Sequence, residues 1–168
     1  MDREKFVSDL SKALSRLLNE PTWEDAKGDP VLRVPSDVLK EAASILKEQG
    51  FGMLLAVVAL DEGEEIRIAY PLFSFGLRVR LILMTNVSKE NPEVPSLSDV
   101  WPAANWHERE QAELLGISFV GHPDLRHLLL PEDWEGYPLR KDYQQPKIYR
   151  GTPTERPYWE DGECPRTN

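Results

Sequence analysis

The chain has 168 residues, a formal net charge of −9, 40% hydrophobic and 29% charged residues; that length suits one domain with a real core rather than two. The acidic balance and the absence of a basic block argue against nucleic acid or anionic lipid as a direct partner. The single cysteine, Cys164, cannot make an internal disulfide, a four-cysteine iron–sulfur site or a structural zinc site, so no cofactor is expected in this polypeptide.

The opening Met1-Asp2-Arg3-Glu4-Lys5 leads into an amphipathic pattern instead of an apolar core with a cleavage site, which predicts a protein that stays in the cytoplasm. Phe6, Leu10, Ala13, Leu14, Leu17 and Leu18 recur at helical spacing, predicting a first helix over residues 3–19 that Pro21 ends. Residues 22–29 are polar and read as a loop or weak strand, and residues 31–34 as a short strand stopped by Pro35. Ser36 or Asp37 then caps a second helix through Val38, Leu39, Ala42, Ala43, Ile45 and Leu46, closed by Gly50.

Residues 51–60 form a continuous apolar run, consistent with a strand buried on both faces and about half the length needed to cross a bilayer as a helix. Asp61-Glu62-Gly63-Glu64 reads as a hairpin turn into residues 65–75, where Ile66, Ile68, Tyr70 and Leu72 alternate with more polar residues. Leu77, Val79, Leu81 and Leu83 alternate again, with Arg78 and Arg80 on the opposite face. The assembly predicted is α+β: a mostly antiparallel sheet of three or four strands with helices packed on one face. Residues 86–95 read as a polar crossing loop, and Ser96 with Asp99 as a capping box that starts a helical turn.

Residues 105–143, NWHEREQAELLGISFVGHPDLRHLLLPEDWEGYPLRKDY, carry the functional argument. Asn105 and Glu108 have capping-box spacing, and Gly116 can close the helix in the left-handed conformation. Trp106, Glu110, Glu113 and Ile117 fall on one helical stripe. Residues 117–120 read as a brief strand, and Gly121-His122-Pro123-Asp124 as a turn with helix-start chemistry. Arg126, Arg140 and Lys141 supply cations opposite Glu108, Glu110, Glu113, Asp124, Glu132, Asp133 and Asp142. His107-Glu108 fails as a zinc helix, since the second histidine position is Gln111. Glu110, Glu113 and His107 leave a free-standing hydrolase as an alternative, although no nucleophile or phosphate loop accompanies them.

These residues resemble the signature of the 30 kDa subunit (C subunit) family of respiratory complex I, NADH:quinone oxidoreductase. Trp106, Glu108, Arg109 and Glu110 match its Trp-x-Glu-Arg-Glu start, followed by Gly116, Ile117, Gly121, His122, Pro123 and Leu125. Pro131, Trp134 and Gly136 match next, and Pro138-Leu139-Arg140-Lys141-Asp142-Tyr143 closes the pattern. Glu113 stands where the family has Asp, and His127 where it has Arg. In the first half, Tyr70 to Ser74 and Leu77-Arg78-Val79-Arg80 are loosely similar to the family, with Pro71 in place of a histidine.

The resemblance implies a cofactor-free accessory subunit in the hydrophilic arm of a complex I-like membrane oxidoreductase, a hetero-oligomer at the cytoplasmic face of the membrane. It would dock on a hydrogenase-large-subunit-like chain, beside subunits holding the iron–sulfur clusters, and reach the membrane subunits only indirectly. The equivalent subunit of an energy-converting hydrogenase or ferredoxin-linked sulfur-reducing complex is the alternative within the superfamily. The partner interface is expected at Trp106, Glu108, Arg109, Glu110, Glu113, His122, Asp124, Arg126, Trp134, Arg140, Lys141 and Asp142, with Arg109 and Arg140 held by carboxylates. Residues 1–143 would form the α+β domain. Residues 144–168, rich in proline yet bearing Tyr149, Tyr158 and Trp159, would form an extended arm anchored on a partner.

Overall fold

Ile66, Ile68, Tyr70 and Leu72 alternate along β5 (Glu65–Ser74), and Leu81, Leu83, Thr85 and Val87 along β6 (Val79–Ser88); nearly all are inaccessible to solvent. A strand has a side-chain period of two, so this pattern gives the hairpin one inward face. The computed structural model describes residues 3–18 and 21–154. In it β1 (Thr22–Ala26), β2 (Asp29–Arg33), β6, β5 and β3 (Met53–Leu54) lie side by side in that order, with β4 (Val58–Asp61) also paired to β5. All pairings are antiparallel except β2 with β6.

Two helices, α1 (Arg3–Leu14) and α2 (Leu39–Glu48), cover the inward face. Phe6, Leu10 and Leu14 from the first and Leu39, Ala42, Ala43 and Leu46 from the second join Leu32, Leu54 and the β5–β6 set in one cluster. Each large apolar side chain so buried stabilises the fold by about 1.5–3 kcal/mol relative to leaving it exposed. Beyond β6 the chain forms β7 (Glu93–Pro95), α3 (Ala104–Leu115) and β8 (Ser118–Val120), with β7 and β8 parallel. A small hairpin, β9 (Ile148–Tyr149) and β10 (Thr152–Pro153), follows.

The α+β class with helices on one sheet face matches the expectation, as does the turn after Asp61, where the Asp61 carboxylate accepts the Gly63 N–H at 2.8 Å. Several details differ. The first helix stops at Leu14, since Leu17 and Leu18 fold back in a turn whose N–H groups both reach the Leu14 carbonyl. Of the two readings of residues 22–29, loop or weak strand, the strand holds: β1 runs to Ala26, and Lys27 and Gly28 both take positive φ and turn it back onto β2. Neither Ser36 nor Asp37 caps α2; residues 36–38 form a 3-10 turn after Pro35.

The run 51–60 is two edge strands separated by residues 55–57, with Met53, Leu55, Val58 and Leu60 exposed, so it is not buried on both faces. An interrupted edge strand exposes less unpaired backbone than a straight one. The crossing segment 86–95 contains the end of β6 and β7. Residues 148–153 form a hairpin where an extended arm was expected. Residues 155–168, with Tyr158, Trp159 and Cys164, lie outside the described residues.

Candidate functional site

The buried face of α3 is Ala104, Glu108, Gln111 and Leu115, at spacings of four, three and four, with Glu113 buried beside it. The stripe through Trp106, Glu110, Glu113 and Ile117 does not act as one face, because Trp106 is 65% exposed while Glu113 and Ile117 are buried. The helix starts at Ala104 with no side-chain cap. Asn105 therefore sits inside the first turn, and Glu108 points into the core rather than back to a cap.

There the Glu108 carboxylate accepts the Ser96 hydroxyl at 2.6 Å and the Leu97 N–H at 2.7 Å. Burial pushes its pKa up to about 7, against the downward pull of these two hydrogen bonds. Ser96 Oγ also lies 2.8 Å from Ser98 Oγ and accepts the Ser98 N–H. That turn replaces the expected Ser96–Asp99 box, while Asp99 pairs with Lys40. The Ser96 proton can point to an ionised Glu108 or, when Glu108 carries its own proton, to Ser98. Either protonation state keeps the turn tied to α3.

His122 sits 4.0 Å from Glu108, its side chain inaccessible. Its Nδ1 accepts the Asp124 N–H at 3.0 Å, which places the ring proton on Nε2, donated to the Asn105 carbonyl at 3.0 Å. Asp124 in turn takes the guanidinium and N–H of Arg126, which holds its carboxyl well below the usual carboxylate range. These contacts organise a turn after Gly121, and no helix follows it.

Residues 121–143 contain neither helix nor strand, yet α3 and the sheet hold them at residues 126–130 and 139–141. Glu113 accepts the Leu128 and Leu129 N–H groups at 2.8 Å and that of Leu130 at 3.2 Å. Arg109 donates to the carbonyls of Arg126 and His127. Arg140 donates to the Leu115 carbonyl at 2.7 Å, where a cation suits the helix C-terminus, and stacks on Tyr137 at 4.5 Å. Within the described residues both arginines thus rest on carbonyls, not on carboxylates. The acids expected to hold them are committed elsewhere, Glu108 and Glu113 to main-chain amides and the Ser96 hydroxyl.

Gly116 makes the close approach possible: its φ of 72° is left-handed, and a Cβ there would fall 2.5 Å from the Tyr137 ring and 2.8 Å from Arg140. At the far end buried Asp61 accepts the Lys141 N–H at 2.9 Å and Lys89 Nζ at 2.8 Å, and Lys89 also reaches Asp142 at 3.0 Å. Lys141 contributes its main-chain N–H here rather than its charge. Lys89, then Lys141 and Gly63, hold the Asp61 carboxyl far below its ordinary range.

Sequence reasoning misses Asp61 and Lys89. Asp61 is fully accounted for by its turn, and the one available signal is a lysine following ten residues of strand pattern.

Within this segment, 121–143, Trp134 packs on Tyr149 at 5.0 Å between ring centroids, and Asp133 accepts from Tyr149 and Arg150. They border an open cavity of about 670 Å³ lined also by Tyr137, Tyr143 and Ile148. Glu110 and His107 are half-buried on α3, and with Glu113 tied to three amides the trio is no acid–base constellation. Among the described residues, no group of three or more His, Cys, Asp or Glu side chains could hold a metal ion, and no helix is long and apolar enough to cross a membrane.

Residues 32–149 match the family described as respiratory-chain NADH dehydrogenase, 30 kDa subunit. The chain is 41% identical over 141 residues to the C subunit of NADH-quinone oxidoreductase from Moorella thermoacetica, covering 82% of this chain and 95% of that one. Among solved structures it resembles a trypsin-resistant fragment of Nqo5, with a TM-score of 0.63 and 30% identity over 72% of this chain and 99% of the fragment. It shares its fold with a chain of the membrane-bound sulfane sulfur reductase, an archaeal respiratory membrane complex, at a TM-score of 0.72 and 24% identity over 83% and 86% of the two chains.

Proposed function

The chain belongs to the respiratory-chain NADH dehydrogenase 30 kDa subunit family, a peripheral subunit of a multi-subunit complex I-like assembly, and we propose that it acts there as a cofactor-free docking subunit. Its partner in this reading is the hydrogenase-large-subunit-like chain of the hydrophilic arm, at the cytoplasmic face of the membrane, with the iron–sulfur clusters held by neighbouring subunits. It supports electron transfer coupled to ion translocation by holding that partner in place, and does no chemistry itself.

The observation that supports this most is the strap 121–143. A segment without regular structure is normally mobile, because ordering each residue costs about 1–2 kcal/mol of backbone entropy. Here the buried carboxylates of Glu113 and Asp61 and the guanidinium of Arg109 are committed to its main chain, while Leu125, Leu129 and Leu139 remain exposed on it and Trp106 is exposed on α3. Fixing a backbone from within while leaving large apolar groups outside is the arrangement of a preorganised interface, whose partner then meets less ordering cost. The fold alone serves quinone-reducing and sulfur-reducing assemblies equally, and the sequence likeness to the NADH-quinone oxidoreductase relative favours the former.

A tagged chain expressed at native level and purified from membranes in mild detergent tests this reading. It should carry with it an iron–sulfur-containing set of subunits that includes the large-subunit-like chain. Recovery of the chain alone, from the soluble fraction only, would contradict it.

A further inference from the structure

We propose that the tip of the β5–β6 hairpin, with the cavity beside it, is a second contact site that takes a carboxylate-bearing segment with a large apolar side chain from another subunit. This rests on the chain belonging to a multi-subunit assembly and not on the strap as its docking surface.

The tip is a fixed structure. Residues 75–78 join the two strands after their last pair, Ser74 with Val79. Buried Ser74 closes the turn: its carbonyl accepts the Arg78 N–H at 2.8 Å and its hydroxyl accepts the Leu77 N–H at 3.3 Å. Phe75 is 71% exposed, yet its ring meets Phe73 edge-on at 4.9 Å between centroids. An exposed aromatic group already held by a second one loses little freedom on binding, which suits an interface anchor. Phe73 also lines a cavity of about 350 Å³ with Phe6 and Pro30, and Asp29, Arg78 and Arg80 complete its polar side.

Charge selects the occupant. Arg80 is held by Asp29 at 3.1 Å, whereas the side chains of Arg78 and Lys27 have no hydrogen bond or ion pair among the described residues. Lys27 belongs to the β1–β2 turn, whose Gly28 borders the same cavity. Both cations sit in the left-handed region, at φ of 56° and 53°, where glycine would be unstrained. A carboxylate placed at Arg78 meets an unanswered cation beside an apolar hollow. A bilayer suits the site less well, because it fills no hollow and its headgroups would also meet Asp29 and Asp25, which accepts the Gly28 N–H. The tip lies at the opposite end of the hairpin from Asp61 and Lys89, which hold Lys141 and Asp142 of the strap. Ten strand residues put about 30 Å between these ends, so the two contacts can be read separately.

The test is photo-crosslinking within the assembly, purified from membranes on the tagged full chain, with a benzophenone side chain at position 75 or, separately, at position 129. The peptide caught from position 75 should belong to another subunit and carry Asp or Glu. Arg78→Gly should cut that yield about tenfold or more, leave the crosslink from position 129 unchanged and melt within about 3 °C of the parent. Arg78→Lys should keep most of the yield. No crosslink from position 75, a crosslink to lipid or to a second copy, or a yield indifferent to Arg78→Gly would each overturn the proposal. So would a fall in melting temperature that accompanies the lost yield, since the arginine would then serve the fold. A crosslink from position 75 with none from position 129 would leave this site standing and overturn the strap as the docking surface.

Discussion

Glu108 is the residue on which the chemistry of the core turns. Its carboxyl is raised from an ordinary 4.5 to about 7 by burial, so the folded state binds a proton that the unfolded state has released. Stability from this group is fully present below pH 4.5 and is lost as the pH rises towards 7, by about 3 kcal/mol in all. Asp61 acts in the opposite sense: its depressed carboxyl stabilises the fold above the usual carboxylate range and ceases to do so in stronger acid. Denaturant unfolding of the isolated chain between pH 5 and 8 should show stability falling with pH, and Glu108→Gln should flatten that slope. An unchanged slope in the variant would show that Glu108 stays ionised throughout.

Among the elements, α3 and its strap form one unit. The helix makes few contacts through apolar groups; it is joined to its surroundings by Glu108, Gln111 and Glu113, each on a main-chain amide. Glu113→Gln should therefore release the strap without unfolding the sheet, because an amide presents one oxygen where three N–H donors converge, and an unsatisfied buried donor costs about 1–3 kcal/mol. Hydrogen exchange is the check: faster exchange is expected at residues 128–130, with β5 and β6 unchanged. Uniform protection in the variant would mean that the strap is held by packing alone.

The same unit shows what was legible in the sequence. The alternation in β5 and the close of α3 at Gly116 are local signals, and the structure has them where they were expected; β6 starts at Val79 instead of Leu77, which is exposed in the turn, and runs on to Ser88. The partners of Glu108, Glu113, Arg109 and Arg140 are 11 to 25 residues away, and opposite charges in one stretch suggested salt bridges where the structure satisfies main-chain groups. The apolar run at residues 51–60 misled for a related reason. Its members Leu54 and Val57 are buried while Met53, Leu55, Val58 and Leu60 are exposed, and an unbroken run of apolar residues hides which of its two faces the chain covers.

At the scale of the whole molecule, a helix-covered sheet supports a fixed outward strap, and the proposed role depends on it. Leu129 is 61% exposed on the strap while its N–H is fixed by Glu113, so changing its side chain alters the surface and not its support. The most direct measurement is the yield of the large-subunit-like partner recovered with a tagged Leu129→Glu chain, set beside the melting temperature of the same variant in isolation. A docking strap gives a melting temperature within about 3 °C of the parent and a recovery at least about tenfold lower, equivalent to about 1.4 kcal/mol or more of lost binding. Full recovery of the partner with that variant, its fold intact, would contradict the assignment of the strap as the docking surface.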